Sequence, residues 1–216
     1  MPARVGTPQP PLIQQLETTI EFTDEPVFEG LHLRDILEFP VYDEGENWMF
    51  DGSKIERSML AGQRFGHLKI WDSIFVGTDF SACRGFESGI LRSGFLGCRM
   101  SGAQLGESTI QDVVFQNCKL NLLSLRKCTL DRVVFQNCVL DEADFAGAVM
   151  RNVNFIDCEM NQTEFNRVHC KGVDMTRSNL SRIRGVMSLK HVRIKPEQMM
   201  DIAPMLAAEV GFEFEQ

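Results

Sequence analysis

The sequence predicts an all-β solenoid, a coil of short extended segments finished at its C-terminal end by a short α-helical cap. Three observations carry this. Every fifth residue from Phe50 to Leu180 is apolar, with Gly85 as the one interruption; a period of five fits neither the period of about 3.6 of a helix nor the alternation of a flat strand. The position two before each of these anchors is mostly small, as in Ser53, Ser58, Ser73, Thr78, Cys83, Ser88, Ser93, Cys98, Ala103 and Ser108. A longer period of twenty overlies the first: Phe75, Phe95, Phe115, Phe135 and Phe155 recur at that spacing, as do Cys98, Cys118, Cys138 and Cys158, and Val-Val-Phe-Gln-Asn-Cys occurs at Val113–Cys118 and again at Val133–Cys138. Each unit therefore points one large and one small residue the same way, and four units close one circuit. An internal repeat of this kind fixes an architecture before any local propensity is weighed. The 27 units from Phe50 to Leu180 give nearly seven circuits, a stack roughly 30 Å long at the ~4.8 Å spacing of paired strands.

The elements follow in order. Residues 1–15 are Pro-rich and polar, a composition expected to be disordered. Residues 16–47 form an acidic N-terminal segment. Within it Thr18 to Phe22 alternates like a short strand laid across the first circuit, and Phe28 and Leu33, five apart, start a ragged circuit. From Asp35 to Asn47 the pattern breaks, with Pro40 and the acids Asp43, Glu44 and Glu46, which reads as a loop projecting from an early circuit. The solenoid proper spans 48–195, and Trp48 in a small slot reads as a plug at its N-terminal end. Gly85 followed by Phe86 is expected to bulge, with Phe86 taking the inner place. Beyond Leu180 the phase is expected to slip by one, with Ile183, Met187, Leu189, Val192 and Ile194 turned inward. In 196–216, Pro196 suits a first helical turn and Met199, Met200, Ile202, Ala203, Leu206, Ala207 and Val210 make a helical apolar stripe. Pro204 is expected to divide that stripe into two short helices, and Gly211 to end it. A helix here covers the open edge that a coil of strands otherwise exposes.

In their fives and their small slots, the residues from at least Trp48 to Ile183 resemble the pentapeptide-repeat family. The resemblance implies a right-handed quadrilateral β-helix with anchor and small residue both inside. The Asp or Asn that the family places just before the anchor is kept at Asp79, Asp144, Asn154, Asp174 and Asn179, and is replaced by Val114 and Val134.

At 216 residues and 44% hydrophobic composition the chain has the bulk for a sizeable core. No apolar run approaches the ~20 residues that span a bilayer, and the first residues lack the apolar core of a secretory signal, so the expected setting is cytoplasmic, with no membrane. The seven cysteines agree with a reducing compartment. Six occupy small inner slots, where a thiol behaves as a small hydrophobe, and Cys170 occupies an anchor. Stacked thiols at strand spacing stand wider apart than the ~3.8 Å between the Cβ atoms of a disulfide; there is no Cys-x-x-Cys, and no histidine shares their column, so no metal is expected. The formal charge of −8 is unevenly spread: net −9 over 1–53, net +6 over 54–195 and net −5 from Pro196 onward.

Nothing in the sequence reads as catalytic. His32, His67, His169 and His191 are scattered, with His67 and His169 outward. No phosphate-binding loop, metal-protease helix or nucleophile elbow is present. Asp141, Glu142 and Asp144 cluster, but on a convex wall that offers no pocket. No enzyme activity and no cofactor are expected. Two binding roles remain. In one the protein is a rigid interaction scaffold for a protein partner, contacted through Asp43, Glu44 and Glu46 in the acidic loop and through Met199, Met200 and Met205 at the C-terminal end, whose adaptable side chains also suit a two-fold homodimer. The other follows from the resemblance: some family members that protect against quinolones mimic duplex DNA and bind a type II topoisomerase, which implies an acidic rod. The net +6 of the wall argues against it. So do its columns of mixed sign, Asp131–Arg151–Lys171 and Asp144–Glu164–Arg184, whose charges are expected to pair from rung to rung. Direct nucleic-acid binding is not expected either, because the bases are unclustered and Trp71 is the one aromatic of the stack expected outside.

Overall fold

The computed structural model describes residues 6–13, 16–18, 22–40, 42–43 and 45–212. In chain order its strands are β1 (Val27–Glu29), β2 (His32–Arg34), β3 (Trp48–Asp51), β4 (Lys54–Glu56), β5 (Leu68–Trp71), β6 (Ile74–Val76), β7 (Gly89–Leu96), β8 (Thr109–Gln116), β9 (Thr129–Gln136), β10 (Val149–Arg151), β11 (Asn154–Ile156), β12 (His169–Lys171) and β13 (Asp174–Arg177), followed by the helix α1 (Met199–Val210). All pairings between these strands are parallel. One face is the ladder β1-β3-β5-β7-β8-β9-β10-β12. The next runs through β2, β4, β6 and the second halves of β7, β8 and β9 to β11 and β13. The other two faces are held by single bridges, such as Arg99↔Lys119↔Val139 and Gln104↔Ser124↔Asp144. The result is the right-handed quadrilateral β-helix, about seven turns long, with one short C-terminal helix.

The register shows why the period is five. Phe95 faces Phe115, which faces Phe135, each twenty residues on, so identical side chains pile up inside. The rings of Phe75, Phe95, Phe115, Phe135 and Phe155 stack with centroids 5.2, 4.9, 5.0 and 5.1 Å apart, about the spacing of the rungs. The small slots do more than fill space. Their hydroxyl and thiol groups donate to carbonyls of the preceding circuit, as from Thr163 Oγ1 to Leu140 O at 2.8 Å and from Cys128 Sγ to Leu105 O at 3.0 Å. Serines also accept: Ser53 N–H donates to Ser73 Oγ, and Ser73 N–H to Ser93 Oγ.

Most corners, two residues after the anchor, turn through the left-handed region, with His67 and Arg177 as exceptions. Glycine supplies this at Gly62, Gly77 and Gly102, but ordinary residues supply it at Arg57, Asp72, Arg92, Leu122 and Gln162 as well. The eight-residue strands β7, β8 and β9 each turn such a corner, at Arg92, Asp112 and Arg132.

Several local expectations are corrected. There is no bulge at Gly85: Gly85 itself sits at the buried anchor and Phe86 is half-exposed. The missing side chain is compensated by Phe65 and by Leu68, an oversized occupant of a small slot, which lie 3.3 and 3.4 Å from where a Cβ on Gly85 would stand. The phase does not slip at Ile183 either. Ile183 fills the small slot and Gly185 the anchor, where a Cβ would meet Asn166 N at 2.4 Å. The slip comes later, past the 3₁₀ turn Val186–Ser188, where Arg193 bridges Asp174, nineteen residues back. Met187 points out, and Val186 is buried in its stead. Pro204 does not split the helix: α1 is continuous from Met199 to Val210, and Pro204 lies on its exposed side, where the loss of one backbone donor leaves a carbonyl on the solvent side rather than in the core.

The segment from Asp35 to Asn47 does not simply project. Phe39 turns in and packs edge-on against Phe28 at 5.6 Å, beside Trp48 at 5.9 Å, and Tyr42 stands edge-on to Trp48 at 5.0 Å. These rings seal the N-terminal end. Of the strand expected at Thr18 to Phe22, residues 19–21 lie outside the described residues; Glu17 bridges Leu31. Residues 6–13, within the segment expected to be disordered, lie extended along the wall.

Candidate functional site

At the N-terminal end the acidic loop is tied down by its backbone. Glu46 N–H donates to Asp43 O at 3.2 Å, Gly66 N–H donates to Glu46 O at 2.7 Å, and His67 N–H donates to Asn47 Oδ1 at 2.9 Å. A Cβ on Gly66 would stand 1.9 Å from Gly45 O, so only glycine admits this approach. Asp43 is exposed, whereas Glu46 is half-buried with Oε2 lacking a hydrogen-bond partner. Glu44 lies outside the described residues. Burial, and then the negative charges of Glu46 and Asp24, raise the ionisation of Tyr42 above its ordinary value. Of the three acids expected to form one contact surface, Asp43 alone is displayed among the described residues.

The C-terminal end is apolar. Gln198, buried at the start of α1, donates from Nε2 to Met175 O at 2.9 Å and to Ser178 O at 2.7 Å, and so satisfies the carbonyls of the last circuit. The Glu209 carboxylate accepts Val186 N–H and Met187 N–H, each at 2.8 Å, and clamps the far end of the helix. Between these two ties α1 leaves a cleft of about 280 Å³, lined by Leu180, Ile183, Val186, Leu189, Ile202 and Leu206 among others. Met199 is 45% and Met200 81% exposed on the same helix, while Met205 is partly buried against the core. Met199 lines the cleft, Met200 stands clear of it, and Phe212 just beyond is 67% exposed.

The wall carries ion pairs at its corners. Arg57 holds Asp35 through two hydrogen bonds of 2.7 Å, and Arg132 holds Asp112 at 2.7 and 2.8 Å. Arg92 holds Asp72 through two bonds as well, and Lys127 and Arg177 hold Glu107 and Asp157 through one each, all twenty residues on. The rung-to-rung pairing expected at Asp131–Arg151 is not what forms: Asp131 lies opposite Arg151 in the ladder, but its carboxylate takes Arg132 and Asn152 instead. In the second column Asp144 is held by Arg126, and Arg184 turns to Gln162. The alternation 72, 92, 112, 132 is visible in the sequence and would have located the true ladder. Outside the coil, Trp71 is half-exposed with Lys69 Nζ 5.9 Å from its ring centroid. It is not the lone outward aromatic, since Phe86 joins it against Gly106. Among the described residues no group of three His, Cys, Asp or Glu is placed to hold a metal ion, and no helix is long and apolar enough to cross a membrane.

Residues 88–165 match the family model of the pentapeptide repeat region. No curated protein matches the chain. Among solved structures it is similar to HetL, a pentapeptide repeat protein involved in heterocyst differentiation regulation from the cyanobacterium Nostoc sp. strain PCC 7120, with 14% identity over 74% of this chain and 82% of that one and a TM-score of 0.43. It is similar to a trypsin-treated variant of QnrB1, a plasmid-mediated fluoroquinolone resistance protein, with 15% identity over 94% of each chain and a TM-score of 0.36. A third likeness is to a pentapeptide repeat protein of the Arabidopsis thaliana thylakoid lumen, with 20% identity over 60% of this chain and 73% of that one and a TM-score of 0.36.

Proposed function

Because this chain is a pentapeptide-repeat protein, whose matched region at 88–165 is continued by the same circuits on either side, we propose that it works as a rigid, non-enzymatic scaffold for protein–protein interaction. The observation that carries this reading is the C-terminal end. There an apolar cleft and the exposed Met199, Met200 and Phe212 sit on a rigid coil, and contiguous exposed apolar surface marks a contact site more often than a solvated end. The same surface supports the pairing of two copies end to end. Interior serines and cysteines such as Ser73 and Cys128 are engaged with neighbouring circuits, which supports a structural part for them. The seven free thiols favour a cytoplasmic setting.

Mimicry of duplex DNA toward a type II topoisomerase asks for a continuous acidic face. Here the carboxylates of Asp35, Asp72, Asp112, Glu107 and Asp157 are each neutralised by a cation one circuit on. That pattern supports the scaffold over the mimic.

The test is cross-linking mass spectrometry on the full chain and on Met200→Glu. The scaffold reading expects a specific protein partner cross-linked at Asp43 or at α1 and lost from the variant if α1 carries the contact. Inhibition of DNA supercoiling by a purified type II topoisomerase, at stoichiometric protein, would replace the scaffold with the mimic.

A further inference from the structure

Residues 6–13 read Gly-Thr-Pro-Gln-Pro-Pro-Leu-Ile. They run along one corner of the coil, against the direction in which the circuits advance. Gln9 N–H donates to Asp112 Oδ1 at 3.1 Å, and Leu12 N–H donates to Asp72 Oδ1 at 3.0 Å. At the other end a Cβ on Gly6 would stand 3.2 Å from Arg132 Cδ and 4.0 Å from Asn152 Cγ. Residues 9 and 12 thus meet the coil at positions 112 and 72, so that three residues of the segment advance by two circuits, and Gly6 lies against the side chain of Arg132.

This commensurability has a physical origin. Two rungs span ~9.6 Å, and one turn of a polyproline II helix takes three residues and ~9.3 Å. A β-strand of similar rise points N–H groups three apart to opposite sides, whereas the three-fold helix points them to the same side. The prolines fit the scheme. Between residues 8 and 12 only Gln9 and Leu12 have an N–H, and both donate; Pro8 and Pro11, three apart, are the half-buried ones, while Gln9, Pro10 and Leu12 are exposed.

The acceptors are built for this. The side chains of Asp72 and Asp112 are 12% and 3% exposed. Asp112 is gripped by Arg132 at 2.7 and 2.8 Å and touched by Gln111 Nε2 at 3.3 Å, and Asp72 is gripped by Arg92 Nε at 2.8 Å. The guanidinium groups hold both carboxyls below their usual range and keep them ionised, with further help from the two segment N–H groups.

We propose that the corner column Asp72–Arg92–Asp112–Arg132 is a docking track for an extended proline-rich segment of a partner protein, of pattern Pro-x-x-Pro with a free N–H after each of these prolines, and that residues 6–13 are its resident occupant. Recognition runs through main-chain N–H groups and proline rings, so any chain with this pattern presents the same groups. The resident segment is held by two hydrogen bonds and leaves Leu12 66% exposed, a grip that a partner segment can replace. The inference rests on the scaffold reading and names one of its surfaces.

The test uses the full chain carrying Gln9→Pro and Leu12→Pro, which removes both donors without touching the coil, and a fluorescent peptide of the sequence of residues 6–13. Anisotropy should show the peptide binding the double variant about tenfold or more tighter than the wild type, because a docked segment leaves only the undocked fraction competent. A peptide carrying the same two prolines should not bind. On the wild-type chain, excess peptide should speed chymotryptic cleavage after Leu12, a readout that needs no variant. The track is overturned if the peptide binds neither protein, or binds both alike, or leaves cleavage unchanged. A second copy as the occupant would appear as a doubled mass that the double variant loses, and would also overturn the partner assignment. A partner still cross-linked at α1 when the peptide fails removes the track alone; peptide binding with no cross-linked partner removes the scaffold reading and keeps the track.

Discussion

Phe115 and Phe135 stack inside the coil with ring centroids 5.0 Å apart and planes 6° from parallel. Both are buried, and each is a rung of a column that continues through Phe95 and Phe155. Removing one ring from such a column deletes contacts on both sides, and neighbouring circuits cannot collapse into the space without breaking register. Phe115→Ala is expected to cost about 3–5 kcal/mol, measured by urea denaturation. Because each circuit contacts only its neighbours, hydrogen exchange should rise most at β7, β8 and β9.

Leu122 sits at a corner with φ 57° and is 57% exposed. A leucine there bears the left-handed penalty of roughly 1–2 kcal/mol with little burial in return. Asn117 and Asn137 occupy equivalent corners. Leu122→Asn is therefore expected to stabilise the protein by about 1 kcal/mol, seen as a higher urea midpoint with an unchanged slope. A lower midpoint would mean that Leu122 makes contacts the corner geometry does not reveal.

The period of five, the circuit of twenty and the helical cap were legible because each residue type repeats its environment once per turn. What was not legible broke that rule. Gly85 and Gly185 occupy anchors with no side chain, and their space is managed by residues of other units, such as Leu68 from the circuit before. Phe39 reads as loop because no period marks it, yet it seals the end. Charge columns were read at strand centres, as at Asp131, when the pairs form at corners, as at Asp72 and Arg92. The path of residues 6–13 depends on matching a three-residue period to a twenty-residue one, which no window on either segment displays.

Six cysteines are buried and Cys170 is partly buried. Burial pushes the thiols of Cys83 and Cys128 up to about 12 and that of Cys170 up to about 11, so little thiolate exists at neutral pH. Labelling with a maleimide in native buffer is expected to be slow at every cysteine and to reach Cys170 first, with all seven modified only in denaturant. Peptide mapping after timed labelling checks the order. Fast modification of Cys118 or Cys138 would contradict the inward column.

Glu56, the last residue of β4, is buried beside β2, with Lys54 Nζ 2.7 Å from Oε1 and His32 Nε2 2.8 Å from Oε2. These bonds, Lys54's foremost, lower its ionisation to about 2. A depressed carboxyl stabilises the fold above the unfolded value of about 4.3, and this contribution is lost as pH falls through the folded value. The difference in unfolding free energy between wild type and Glu56→Gln should shrink as pH falls between about 4.3 and 2. Urea titrations at stepped pH measure it. A difference that instead grows below about pH 4.3 would show that Glu56 is destabilised where it sits.

Met200 is 81% exposed on the face of α1 that turns away from the last circuit, next in the chain to Met199, which lines an apolar cleft of about 280 Å³. One helix tied by Gln198 and Glu209 is enough to close the backbone edge, yet it leaves this surface uncovered. A second copy of the same end meets it with identical chemistry, and a two-fold contact closes on itself without growing into a fibre. Light scattering at micromolar concentration is therefore expected to give twice the chain mass of 24.5 kDa. Met200→Glu, which leaves Gln198 and Glu209 in place, should return that mass to the monomer with the thermal midpoint of the coil little changed at high dilution. A wild-type mass of 24.5 kDa would reduce α1 to a lid, and a doubled mass unmoved by the substitution would shift the contact away from this helix.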